Sequence, residues 1–214
     1  MARRVLLALV LAVALAAFLV EGVLRLVRHF WTFPMPALAA LPLGLPVRHL
    51  VNNPETVLRR AHLRPGSRVL EVGPGTGFYT PGISRHLGAG GCLVCLELKR
   101  PLARRLLRKV QRRGLGNAGV CMGDALLLPF RAGTFDQVLL IGVLGEFPDR
   151  VRAFREARRV LRPGGVVSVT EHFQDPDYPR RSTVQRWARE AGLRQVGREG
   201  DFLCYTLHFR ADGT

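Results

Sequence analysis

The chain has 214 residues, 48% of them hydrophobic, and a formal net charge of +16. That length holds one domain of ordinary size with a full core, and the apolar content excludes a disordered chain. Of its 32 basic residues only Lys99 and Lys109 are lysines; the arginine-rich surface suits lipid headgroups or nucleic acid, and solvated helix faces account for it equally well.

Behind Arg3 and Arg4, Val5 to Val20 is an uninterrupted apolar run. As a helix it reaches about 24 Å, short of a hydrocarbon core of about 30 Å, and extension to Val27 closes the gap. Residues 1–29 are therefore expected to form a single-pass membrane anchor helix. Residues 30–52, with Phe30-Trp31-Thr32-Phe33 followed by Pro34, Pro36, Pro42 and Pro46, read as an interfacial or linker segment. A cleaved signal peptide is the rival reading, because Ala14-Leu15-Ala16 resembles a cleavage site. Basic residues on both flanks leave the orientation open by charge alone.

Residues 53–214 form the expected catalytic domain. Asn53-Pro54-Glu55 reads as an N-cap followed by proline in the first turn of a helix running to about His62. Strands and helices then alternate: Arg68–Val72 and Thr80–Leu87; Cys92–Leu96 and Arg100–Arg113; Val120–Met122 and a loop; Phe135–Ile141 and Val151–Leu161; Val166–Thr170 and Thr183–Ala191. Alternation of this kind implies an α/β fold with a parallel sheet covered on both faces. Arg194–Glu199 and Phe202–Arg210, joined by Gly200-Asp201, close the chain as a hairpin. Cys92 and Cys95 lie three apart on a strand and point to opposite faces. With Cys121 and Cys204 they make neither a disulfide framework nor a metal site, so no metal ligand is assigned and a reducing compartment is the simpler expectation.

The first strand runs into Glu71-Val72-Gly73-Pro74-Gly75-Thr76-Gly77. Glycines at this spacing let the backbone turn sharply, approach a ligand and present the amides of the next helix. The pattern is G-x-G-x-G, not the G-x-G-x-x-G of dinucleotide folds, which disfavours a nicotinamide-dependent oxidoreductase. Glu97 ends the second strand, placed to accept hydrogen bonds from ribose hydroxyls; a helix-capping glutamate is the plainer reading. Asp124 follows the third strand in Gly123-Asp124-Ala125, at the edge where such sheets bind ligands.

Together with Leu-Pro-Phe (128–130), Thr-Phe-Asp (134–136) and Val-Leu-Arg-Pro-Gly-Gly (160–165), these motifs resemble the class I S-adenosylmethionine-dependent methyltransferases, in particular the ubiquinone and menaquinone C-methyltransferase branch. The resemblance implies a Rossmann-like, doubly wound, seven-stranded sheet with the last strand antiparallel, and S-adenosyl-L-methionine as cofactor. It implies that Glu71, Gly73, Pro74, Gly75, Thr76 and Gly77 hold the methionine part. Glu97 and Leu98 would hold the ribose side, and Asp124 and Ala125 the adenine. Where many relatives carry a histidine pair, this chain has Val143-Leu144-Gly145-Glu146. The motifs of amino-directed and cytosine-C5 nucleic-acid methyltransferases are absent, which disfavours nucleic acid as acceptor.

Methyl transfer needs an aligned acceptor and, where the acceptor carries a proton, a base. His172 and Tyr178, beyond the fifth strand, and Glu146 are the candidates, each equally readable as a structural or loop residue. The favoured expectation is an enzyme anchored in a membrane with its domain facing the cytosol, where the cofactor is made. It would methylate a small lipid-soluble or amphipathic acceptor. A non-catalytic cofactor-binding module of a membrane assembly, and a methyltransferase of protein or RNA, are the alternatives. The oligomeric state is not legible.

Overall fold

Asparagine before proline starts the first helix as expected. In the computed structural model, which describes residues 53–175 and 177–211, Asn53 Oδ1 accepts from the Glu55 amide at 3.0 Å and helix α1 spans Pro54–Arg60. Pro54 has no amide to leave unsatisfied, while Glu55 in the first turn and Arg59 and Arg60 in the last complement the helix dipole. The anchor and linker expected over residues 1–52 lie outside the described residues. Among the described residues, no helix is long and apolar enough to cross a membrane.

The remaining elements are β1 (Arg68–Val72), α2 (Thr80–Leu87), β2 (Cys92–Glu97), α3 (Arg100–Arg112), β3 (Ala118–Met122), β4 (Phe135–Ile141), a 3-10 turn (Leu144–Glu146), α4 (Arg150–Val160), β5 (Leu161–His172), α5 (Arg181–Glu190), β6 (Leu193–Gly200) and β7 (Cys204–Ala211). The seven strands form one sheet in the order β3-β2-β1-β4-β5-β7-β6. Strands β1 to β5 are parallel, and β7 runs antiparallel between β5 and β6. This is the Rossmann-like seven-stranded sheet that the resemblance implies, with the last strand reversed. Strand order turns back between β1 and β4, and at that switch point the carboxyl ends of the strands open a crevice.

Successive strand residues serve opposite layers. Val69, Leu93, Cys95 and Leu139 pack with Val57 and Leu58 of α1, Ile83 and Leu87 of α2, and Leu106 and Val110 of α3. Leu70, Val138, Val167 and Phe209 pack with Phe154 and Ala157 of α4 and with Val184 and Ala188 of α5. The arginine clusters therefore fall on outer helix faces. In α3, Leu102, Ala103, Leu106 and Val110 are buried, while Arg104, Arg105 and Arg108 face solvent.

Several boundaries depart from expectation, the start of β5 at Leu161 rather than Val166 among them, and two departures bear on the sites. Strand β5 does not stop at Thr170: pairing with β7 carries it on through Glu171, opposite Tyr205, and His172, opposite Cys204. Both residues thus lie inside the sheet rather than beyond it. Strand β7 starts at Cys204 instead of Phe202, because Asp201 Oδ1 accepts from the amides of Leu203 and Cys204 and holds residues 201–203 in a turn.

Phe154 is fully buried and meets Phe209 edge to face with ring centroids 5.9 Å apart. Phe154→Ala is expected to cost about 3–5 kcal/mol, read as a lower urea midpoint with an unchanged m-value.

Candidate active site

Parallel register sets Glu71 of β1 beside Cys95 of β2, and Val72 beside Leu96, so the strand ends deliver two glutamates to one edge. Between β1 and α2 the chain turns at Gly73, Gly75 and Gly77, with φ of 66°, 58° and 72°. A Cβ on Gly73 would lie 2.6 Å from Val143 Cγ2, and one on Gly77 would collide with Leu106 Cδ1, whereas one on Gly75 would meet nothing within 4 Å. The outer two glycines permit close packing, and the middle one leaves open space for a ligand. Two bonds fix the turn, from the Gly73 amide to Leu96 O at 2.9 Å and from Lys109 Nζ to Gly77 O at 2.9 Å.

Glu97 is 5% exposed. Its Oε2 accepts from the Gly75 amide at 3.0 Å and its Oε1 from the Lys99 amide at 2.9 Å. Burial raises its pKa and these two amides work against the rise. Glu71 is more deeply enclosed: its Oε2 accepts from Thr80 Oγ1 at 2.7 Å and from Cys95 Sγ at 3.6 Å. Burial pushes its carboxyl up to about 7.

Over these residues lies a hollow of about 240 Å³, lined by Gly73, Gly75, Glu97, Leu98, Asp124 and Ala125 among others. Through Lys99 and Glu146, which border both, it adjoins an inner hollow of about 110 Å³ lined by Glu71, Pro74, Thr76, Phe78, Tyr79 and Gly142 among others. Every cofactor residue expected from the sequence lines one or the other except Gly77, whose place is structural. Leu98 is well exposed at the rim, and Asp124 Oδ1 accepts from the Leu126 amide at 2.9 Å. Arg159 steadies the loop that follows, donating to Leu128 O at 2.8 Å and Phe130 O at 2.7 Å.

The three expected base candidates separate. Glu146, on the 3-10 turn, borders both hollows and pairs with Lys99 Nζ at 3.3 Å. His172 lines neither hollow; it is 3% exposed, and its Nε2 lies 3.0 Å from the hydroxyl of Tyr79. Tyr178 turns elsewhere, donating to Phe202 O at 2.6 Å and packing on Tyr205. Tyr79, which the sequence reading passed over, is the residue through which His172 reaches the inner hollow. Its position two residues after the last glycine of the turn is the signal that could have found it. Lys99 was legible as a lysine among arginines, directly after the ribose-side pair.

Similarity to known proteins agrees with this geometry. The methyltransferase domain family matches residues 70–169. Demethylmenaquinone methyltransferase of Geobacillus kaustophilus (strain HTA426) is 32% identical over 120 residues, which are 56% of this chain and 51% of that protein. The ubiquinone/menaquinone biosynthesis C-methyltransferase UbiE of Idiomarina loihiensis is 36% identical over 115 residues, 53% of this chain and 45% of its own. The chain thus spans about half the length of the curated relatives it matches. A SAM-dependent methyltransferase from Aquifex aeolicus shares the fold, with a TM-score of 0.76 at 22% identity over 82% of this chain and 98% of that one. Residues 70–169 thus carry a methyltransferase domain of the S-adenosylmethionine-dependent type, whose methyl donor is S-adenosyl-L-methionine.

Glu71 supplies a pH signature. Below about pH 4.5 its carboxyl is protonated in the folded and the unfolded chain; between there and about 7 only the folded chain keeps the proton. The stability it lends is complete below the unfolded value and is lost as pH rises through the folded one. Relative to Glu71→Gln, the wild type is expected to lose about 3 kcal/mol of unfolding free energy between pH 4.5 and 8, measured by parallel urea titrations.

Proposed function

We propose that the chain transfers the methyl group of S-adenosylmethionine to a small, quinone-like apolar acceptor. The observation that carries this reading is the inner hollow, bounded by Phe78 and Tyr79 where the glycine turn meets α2. The relatives named for demethylmenaquinone and ubiquinone or menaquinone support the acceptor class. In a chain of net charge +16, Glu71, Glu97, Glu146 and Asp124 border the two hollows against Lys99 alone among the lining residues. That local charge suits a sulfonium and an ammonium, and it is unfavourable to a pyrophosphate.

On this reading Glu97 takes the ribose hydroxyls, with Leu98 at the rim. Asp124 and Ala125 take the adenine, and Glu71 with residues 73–76 holds the methionine part. Held there, S-adenosylmethionine would supply an electrophilic methyl group to an acceptor aligned in the inner hollow. Where the acceptor loses a proton, the Glu146 carboxylate receives it, or the Tyr79 hydroxyl takes it while passing its own proton to His172 Nε2, 3.0 Å away. Tyr178, tied to Phe202 O and packed on Tyr205, lines neither hollow.

The apolar run Val5–Val20 supports a further element of the proposal: a membrane anchor over residues 1–29 that keeps the domain at the cytosolic face, near lipid-soluble acceptors. Full-length chain in membranes is expected to resist an alkaline carbonate wash, and its release would contradict the anchor.

Incubating the full chain with a lipid extract and methyl-labelled S-adenosylmethionine is expected to place label in the organic phase. Label confined to protein or RNA contradicts the proposal. Tyr79→Phe is expected to lower the rate roughly 10²-fold with unchanged affinity for the methyl donor.

A further inference from the structure

At the opposite edge of the sheet, near the amino-terminal ends of the parallel strands, a cavity of about 570 Å³ shares no lining residue with the two hollows of the candidate active site. His62, Glu199 and His208 meet on its wall, their ligand-capable atoms all within 4.8 Å of one another. We propose that these three side chains form a binding site for a divalent transition metal ion of the zinc class.

Each ligand is placed by a separate feature of the fold. His208 on β7 stands opposite Ser168 on β5 and Gly197 on β6. At Gly197 a Cβ would come 3.0 Å from His208 Cδ2, so the missing side chain makes room for the ring. Glu199 lies two residues further along β6. His62 follows α1 and has a φ of +50°, the only positive value at a non-glycine residue among those described. That left-handed conformation just past a helix end is a common way for a helix to stop, and here it brings the His62 ring to Glu199.

The buried imidazole carries the argument. His208 is 6% exposed, and its Nε2 is sealed from solvent without a hydrogen-bond partner. That atom faces Glu199 Oε1 at 3.8 Å. This is too long for a hydrogen bond but within reach of one shared ion, since ligands at about 2.0–2.2 Å in tetrahedral array stand about 3.4 Å apart. His62 Nε2 already contacts the same Glu199 oxygen. Behind His208, its Nδ1 lies 2.9 Å from Ser168 Oγ, and that oxygen accepts from Gln137 Nε2 at 2.8 Å. Gln137 is anchored in turn on Ala61 O at 2.6 Å. A hydrogen bond at the far ring nitrogen is what orients a metal-bound histidine.

Two imidazoles and one carboxylate select zinc, cobalt, nickel or copper over magnesium or calcium, which take all-oxygen shells. The arginines of the cavity, Arg64, Arg162, Arg198 and Arg210, reinforce that choice. They oppose every divalent cation by charge, so binding depends on the two imidazole lone pairs, which ions of the zinc class accept and magnesium or calcium do not. Three protein ligands leave the fourth position open to the cavity, where water or an anion attracted by those arginines completes the shell.

Calorimetric titration of the purified full chain with zinc chloride, after chelator treatment, is expected to show one ion bound per chain. His62→Ala and Glu199→Gln, both at accessible side chains, are each expected to weaken binding roughly ten-fold or more, while His86→Ala, on α2, leaves it unchanged. X-ray absorption of the zinc-loaded wild type is expected to show a first shell of nitrogen and oxygen alone. A sulfur shell would move the ion to the cysteines and overturn the proposal even if a variant fails to fold. Absence of saturable binding, or binding that survives either ligand substitution, overturns it as well.

Discussion

A carboxylate withdrawn from water must find donors, and around Glu97 the backbone itself supplies them. The Gly75 and Lys99 amides close on its two oxygens, tying the glycine turn after β1 to the exit from β2. That arrangement needs the backbone to pass close to β2, which Gly73 permits through its bond to Leu96 O and its contact with Val143. The turn, the cleft above it and the mouth of α2 all depend on this one desolvated acid. Because both oxygens already face backbone donors, a ligand hydroxyl approaching Glu97 meets a carboxylate held in place rather than one that must be ordered on binding.

Topology then distributes the chemistry. Reversal of strand order between β1 and β4 opens the crevice at the carboxyl edge, and the 3-10 turn after β4 closes it with Glu146. Glu171, 1% exposed and held well above the usual carboxylate range by burial, accepts from the Leu144 amide at 3.3 Å and so braces that turn from below. Insertion of β7 beside β5 has two separate effects. It extends β5 far enough to bury His172 against Tyr79, and at the other end of the same strand it carries His208 to Glu199. One antiparallel strand thus equips both edges of the sheet.

Sequence reasoning was strongest where the determinants are local. The cap at Asn53, the helix Thr80–Leu87 and the strand Phe135–Ile141 were read with their observed bounds or nearly so, because capping, periodicity and glycine punctuation act within a few residues. The glycine turn with Glu71, Glu97 and Asp124 was legible for the same reason, each at the end of a strand. What escaped were encounters between distant segments. Tyr79 with His172, Lys99 with Glu146, and His62 with Glu199 are separated by 93, 47 and 137 positions, and only the order of strands brings them together. Burial of His172 followed from the same cause, since the length of β5 is set by its partner β7 and not by its own residues.

The central claim is that the acidic cleft over Glu97 takes S-adenosylmethionine. Calorimetric titration of the full chain in detergent with S-adenosylmethionine, S-adenosylhomocysteine and NAD, repeated with Glu97→Ala, addresses it directly. Micromolar binding of both sulfur nucleosides, absent for NAD and lost in the folded variant, is the predicted result. Binding of NAD in their place, or affinity for S-adenosylmethionine that survives the loss of the Glu97 carboxylate, would contradict it.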